Sequence, residues 1–189
     1  RVLISCLWIA YLLAFPFYLF PPGSAQMADA FGVLLVFFSL RKIALFRQDI
    51  FIKSLTLFVL ATLVINAIYA IEFRDFSFLR KPINYLYCYL LSLSIFINLK
   101  DPGFVKVTKW GVVATLTLQI LVAPFSPEYD SIRTIIYFNN PNQLALWAVC
   151  MLSIAVYMFY YRYHQLLVIA VMCLFLGALS ASKAGLAGI

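Results

Sequence analysis

Charge is what this sequence has least of. Of its 189 residues only 11% are Asp, Glu, Lys or Arg, against about 25% in an ordinary soluble domain. Acids are the scarcer sign, 7 against 14 bases. Hydrophobic residues make up 65%, above the roughly 45–50% of soluble proteins, and the excess survives when tyrosine is left out of the count and glycine put in. A water-soluble fold cannot hide that much apolar side chain or coat it with so few charges, so lipid must be the solvent for much of the chain. This excludes a soluble enzyme. It also excludes reading the net charge of +7 as the phosphate footprint of a nucleic-acid module.

Other scarcities narrow the chemistry. The four cysteines, Cys6, Cys88, Cys150 and Cys173, lie far apart inside apolar runs, so they form neither a metal-type pair nor a disulfide framework and read as small hydrophobes. The one histidine, His164, stands in Arg162-Tyr163-His164-Gln165 and reads as an interfacial polar residue, not a base. No carboxylate cluster suggests a metal, and neither metal nor cofactor is expected. There is no fixed-period repeat and no low-complexity linker, which leaves no second, soluble domain.

What is present is a series of long apolar runs. A membrane helix needs about 20 mostly apolar residues to cross about 30 Å of hydrocarbon. Runs at about 2–20, 25–40, 55–71, 83–99, 110–125, 144–161 and 166–181 give seven candidate spans, with 184–189 opening an eighth. The second run is short, so Arg41 and Lys42 snorkel or Ile43 to Phe46 continue the helix. The runs are apolar on both faces, unlike the alternating ten-residue segments of a β-barrel. The expected fold is therefore all-α: a polytopic transmembrane bundle forming a single integral-membrane helical domain over 1–189. Because the chain begins at Arg1 and stops at Ile189 inside a fresh apolar run, it reads as a fragment of a longer protein. A signal peptide is not expected, since the first run has full span length and no small-x-small pattern precedes Pro21-Pro22.

Basic residues in short joins stay cytoplasmic. With the N-terminus inside, nine of the fourteen bases fall on the inside: Arg1, Arg41, Lys42, Arg47, Lys53, Lys100, Lys106, Lys109 and Arg162. Glu72, Asp75, Glu128 and Asp130 fall outside, and only Asp49 and Asp101 inside. Tyr157, Tyr160, Tyr161 and Tyr163 then form an interfacial belt at the inner end of the sixth span.

Five bases stand on the disfavoured side: Arg74, Arg80, Lys81, Arg133 and Lys183. The first three crowd into the join Glu72-Phe73-Arg74-Asp75-Phe76-Ser77-Phe78-Leu79-Arg80-Lys81-Pro82, which interleaves charge with aromatics. Two readings stand. Arg74 pairs with Glu72 and Asp75 while the join rests on lipid phosphates, or the join binds a phosphorylated lipid through guanidinium groups that stay charged in low dielectric. Asp29, near the outer end of the second span, either pairs with a cation or favours the positive end of its own helix.

The sharpest local signal is the segment from Arg133 to Gln143, ending Tyr137-Phe138-Asn139-Asn140-Pro141-Asn142-Gln143. Carboxamides are costly near hydrocarbon unless paired. A helix start explains two residues, since Asn before Pro at the first helical position is a capping signal. Asn139, Asn142 and Gln143 remain as donors and acceptors at the mouth of the bundle, able to line a polar pocket for sugar hydroxyls.

The string Phe138-Asn139-Asn140-Pro141-Asn142-Gln143-Leu144-Ala145, preceded by Arg133 and followed one span later by Ser180-Ala181-Ser182-Lys183-Ala184-Gly185-Leu186, resembles the bacterial O-antigen ligase and polymerase superfamily. Its members show F-x-N-P-N-x-x-A entering a span, then an S-x-S-R-x-G-like segment. The resemblance implies a GT-C-like membrane glycosyltransferase of the bacterial inner membrane. It would move glycan from an undecaprenyl-diphosphate-linked donor to a glycan or lipid acceptor on the outer face. The implied substrate-binding residues are Arg133, Asn139, Asn142, Gln143 and Lys183, with Arg74, Arg80 and Lys81 as further cations. A departing pyrophosphate gathers negative charge, which fixed cations stabilise. Two departures matter: Lys183 stands where the family usually has Arg, losing the bidentate fork, and the family's long external loop, which would carry the catalytic base, lies beyond residue 189. The alternative is a lipid-linked oligosaccharide flippase or other transporter, which should carry charges near mid-bilayer and often an internal repeat. A structural membrane subunit is the third reading, and it leaves Asn139, Asn142 and Gln143 unexplained.

Overall fold

The computed structural model describes residues 2–20, 25–46, 50–125, 136–138 and 140–180. Among the described residues every regular element is helical: α1 (Val2–Ala14), α2 (Met27–Ala44), α3 (Ile50–Glu72), α4 (Arg80–Asn98), α5 (Pro102–Val122), α6 (Pro141–Phe159) and α7 (Tyr163–Ser180), with 3₁₀ turns at Phe76–Leu79 and Ala123–Phe125. Each of the seven long apolar runs thus becomes one helix. The expected eighth, 184–189, lies outside the described residues. Among the described residues four helices have the length and apolarity to cross a membrane: α3, α5 with its 3₁₀ extension, α6 and α7. Helices of this kind belong in a lipid bilayer. The other three differ for identifiable reasons. The 13 residues of α1 rise only about 20 Å, α2 carries Asp29, Arg41 and Lys42, and α4 opens on Arg80 and Lys81 and is rich in Asn, Ser and Tyr.

The helices gather into two compact units, one of Arg1–Gly32 with Asp101–Ile189 and one of Val33–Lys100. In the first, α6 and α7 pack side by side, α5 lies against both, and α1 lies against α5. Leu12, Val112, Leu116, Leu144, Cys173 and Leu176 are fully buried at its centre. At Gly111 a β-carbon would stand 2.6 Å from the Leu12 Cδ1 methyl, so the missing side chain lets α1 and α5 approach closely. Two threonines of α5 then hydrogen-bond across: Trp8 Nε1 donates to Thr108 Oγ1 at 2.9 Å, and Thr115 Oγ1 donates to the Leu12 carbonyl at 2.9 Å.

The second of these bonds has a covalent cause. The Leu12 carbonyl would ordinarily accept from the N–H four residues on, but residue 16 is proline and has no N–H. Pro16 ends α1 at Ala14, short of the run's apolar limit at 20. It also orphans a carbonyl in a place where water cannot reach it, and Thr115 supplies the missing donor.

In the second unit α3 and α4 pack together and are joined by the 3₁₀ turn. Their core is Ile52, Val59, Tyr89 and Leu93, flanked by Ile43, Phe46, Leu86 and Leu90. Asn98 is the polar node of this unit. Its Oδ1 accepts from Lys42 Nζ at 2.6 Å, and its Nδ2 donates to Ser39 Oγ and to the Ser94 carbonyl. α2 does continue past residue 40, to Ala44. Between Leu55 and Ile71 the outward side of α3 is apolar, with Leu57, Phe58, Val64 and Ile68 all exposed, as expected of a helix solvated by lipid.

Candidate functional site

The helix start read from the sequence is built as expected. Asn140 is extended (φ −156°, ψ 160°), its side-chain oxygen accepts from the Gln143 N–H at 3.0 Å, and Pro141 opens α6. Capping fixes where the next carboxamides stand. Asn142 is exposed and Gln143 half-buried in the first turn of α6. Immediately upstream the backbone is strained: Ile136 (φ 43°) and Tyr137 (φ 64°) are both left-handed. For a β-branched residue this is an outlier, costing about 1–3 kcal/mol and typical of functional segments.

What holds that strained pair is the stretch that follows α1. The Tyr18 N–H donates to the Tyr137 carbonyl at 3.0 Å. Phe17 lies against Tyr137 (5.6 Å between ring centres), Tyr18 against Phe138 (5.8 Å) and Phe138 against Trp147 (5.7 Å). Asp29 sits in the first turn of α2, where its Oδ2 accepts from the Gln26 N–H at 2.7 Å. Of its two readings, the structure gives it the helix N-terminus. The Gln26 side chain in turn clasps both the N–H and the C=O of Phe20.

Beneath the Asn140 cap lies a cavity of about 380 Å³. Its walls are aromatic: Trp8, Tyr11, Phe15, Tyr18, Phe138 and Trp147, with Gln143 at the rim and Cys150 and Met151 further along α6. The size falls within the range of small-molecule sites. Flat aromatic faces suit the C–H faces of sugars and the chain of an isoprenoid, and the amide and phenol groups suit hydroxyls. Trp147 is 3% exposed, and among the described residues its indole N–H has no acceptor. A buried donor left unpaired costs about 1–3 kcal/mol, a cost that a ligand acceptor would remove. The amide of Gln119 on α5 is likewise fully buried without a partner among the described residues.

The other sequence candidates fall in two groups. Arg133, Asn139 and Lys183 lie outside the described residues. Arg74, Arg80 and Lys81 belong to the second unit and are exposed. The self-pairing read for Arg74 does not form: among the described residues it makes no ion pair with Glu72 or Asp75. Its backbone explains why. Arg74 is left-handed (φ 52°), and the Arg74 and Asp75 N–H groups donate to the Ile71 and Ala70 carbonyls, closing α3 in a Schellman cap. Asp75 is occupied elsewhere, accepting from the Ser77 N–H and hydroxyl at 2.8 Å each. These bonds hold its carboxyl below the ordinary aspartate value, the backbone bond most. Tyr69, Phe73 and Phe78 cluster around the cap with ring centres about 6 Å apart.

The aromatic wall escapes the sequence reading because Trp8, Phe15 and Trp147 read as ordinary span residues and Phe138 only as the start of the motif before the sixth span. Pro16 was the available signal, since a proline inside an apolar run frees the following residues from the helix. Compared with protein-family models, curated proteins and solved structures, the chain matches none.

Proposed function

We propose that this chain is part of a membrane glycosyltransferase of the O-antigen ligase or polymerase type, moving a glycan from an undecaprenyl-diphosphate carrier to a glycan or lipid acceptor. The observation that carries the reading is the aromatic-walled cavity of about 380 Å³ directly beneath the capped Asn140-Pro141-Asn142-Gln143 start of α6. In this reading all seven helices lie in the bacterial inner membrane in a GT-C-like arrangement, N-terminus cytoplasmic, and the α6 start opens toward the outer face. Asn139, Asn142 and Gln143 bind sugar hydroxyls, and the aromatic walls hold the sugar faces and the first isoprene units.

Chemically, the bond from the anomeric carbon to the pyrophosphate oxygen breaks, and an acceptor hydroxyl oxygen forms the new bond as its proton leaves. The pyrophosphate departs with both electrons of the broken bond. Arg133 and Lys183 are the cations suited to that charge. In the second unit, Arg74, Arg80 and Lys81 suit phosphates at the membrane surface. One observation favours the transporter alternative: an unpaired, buried amide at Gln119 within a membrane-length helix is the kind of polar group a conducting path uses.

Arg133→Ala in the full-length protein is expected to abolish surface glycan while membrane insertion stays intact. Wild-type glycan in that variant would remove Arg133 from the site. Lys183→Arg should be tolerated and Lys183→Gln should not, and equal activity of all three would show that the charge is unused.

A further inference from the structure

A second hollow in the first unit lies at the far end of α6 from the Asn140 cap, where α6 ends at Phe159 and α7 begins at Tyr163. It measures about 720 Å³ and is open to the surroundings along α5 and α7. Its floor is apolar, formed by Trp110, Val113, Val168, Ile169 and Met172, and its rim carries Lys106, Lys109, Arg162 and His164. No carboxylate lines it among the described residues. The nearby Asp101 is turned to its own helix, capping α5 through the Gly103 N–H at 2.8 Å.

Two further features strengthen the positive field. Both α5, from Pro102, and α7, from Tyr163, begin at this end while only α6 ends there, so two helix N-termini against one C-terminus leave the dipoles on the side of the positive charges. Lys109 is already held in place, its Nζ 5.4 Å from the Phe159 ring centre. His164 is steadied by Tyr163, with ring centres 3.7 Å apart. The exposed Tyr157, Tyr160, Tyr161 and Tyr163 surround the α6–α7 turn, as expected of residues at a membrane interface.

We infer that this hollow binds an anionic phospholipid, with its headgroup phosphate among Lys106, Lys109, Arg162 and His164 and an acyl chain along the floor between α5 and α7. Charge complementarity selects an anion. The floor selects a lipid over a free anion, because α5 and α7 are both of membrane length and their apolar groove opens where acyl chains lie. The volume of about 720 Å³ suits one chain and one headgroup. Basic pockets between membrane helices take lipid headgroups in this way. The inference is independent of the glycan-transfer proposal, because the hollow shares no lining residue with the aromatic cavity.

The test uses the purified full-length protein in an uncharged detergent, with lipid retention followed by native mass spectrometry and thermal stability. Phosphatidylglycerol, phosphatidylcholine and inorganic phosphate are titrated separately. Phosphatidylglycerol should bind and stabilise, phosphatidylcholine should do so far less, and inorganic phosphate should have little effect. Lys106→Gln with Arg162→Gln should weaken phosphatidylglycerol about thirty-fold. Val168→Trp should also weaken it while keeping every charge, and Lys53→Gln, in the other unit, should change nothing. Both rim residues are exposed, so the double variant is expected to fold. Equal binding of the two lipids would overturn the inference. So would a phosphatidylglycerol affinity unchanged by the double variant, stabilisation by inorganic phosphate as large as by lipid, or a second copy of the chain retained in place of lipid.

Discussion

Replacing Thr115 by valine keeps nearly the same volume at a fully buried position and removes one hydrogen bond, the 2.9 Å link to the Leu12 carbonyl. That carbonyl has lost its helical donor to Pro16, so Thr115→Val leaves a buried acceptor bare. A bare buried acceptor costs about 1–3 kcal/mol, while hydrogen bonds between membrane helices average about 0.6 and reach about 1.7 kcal/mol. The expected loss is therefore about 1–2 kcal/mol. Pro16→Ala restores an N–H at the position that would bond Leu12, and in that background Thr115→Val should cost no more than about 0.5 kcal/mol. Packing lost with the Pro16 ring is common to both arms of the cycle and cancels. Reversible unfolding of the purified protein in mixed micelles, followed by helicity, measures all four variants. An equal cost of Thr115→Val with and without Pro16 would refute the claim that the threonine serves the carbonyl that proline orphaned.

The connecting turn of the second unit gives two further expectations. Arg74→Gly should stabilise the α3 terminus by about 1 kcal/mol, because glycine adopts the left-handed conformation without the penalty of a β-carbon; Arg74→Ala should not, and hydrogen exchange at the Asp75 amide reads the difference. The Asp75 carboxyl is held below its ordinary value by its bonds to Ser77. Its contribution is present above the unfolded-state pKa and is lost as pH falls through the lower, folded one. Protection of the Ser77 amide should accordingly fall with acid in the wild type and be low at every pH in Asp75→Ala.

Residues that act through their neighbours in sequence were the legible ones. Asn140 and Pro141 start a helix because a side-chain oxygen reaches an amide three residues on, and the structure keeps that geometry. Composition likewise announced the membrane. Long apolar runs give the positions of the helices but not their ends, since α1 stops at Ala14, ahead of Pro16, while the apolar run continues to residue 20. What stayed hidden depends on residues far apart in the chain. Thr108 and Thr115 look like neutral span residues until α1 is laid against α5. His164 reads as an isolated polar residue, and only folding brings it to one rim with Lys106 and Lys109. Arg74 shows the opposite failure: charge sign alone suggests ion pairs with Glu72 and Asp75, whereas the helix cap sets the Arg74 backbone left-handed and the Asp75 carboxylate is taken by Ser77.

The central proposal is glycan transfer, and reconstitution tests it most directly. Full-length protein in liposomes is supplied with an undecaprenyl-diphosphate-linked oligosaccharide and an acceptor glycan, and both the carrier and the glycan are followed. The account predicts that undecaprenyl diphosphate is released while the oligosaccharide becomes covalently attached to the acceptor. Oligosaccharide that crosses the bilayer still joined to its carrier, with no release, would contradict it and make the protein a transporter.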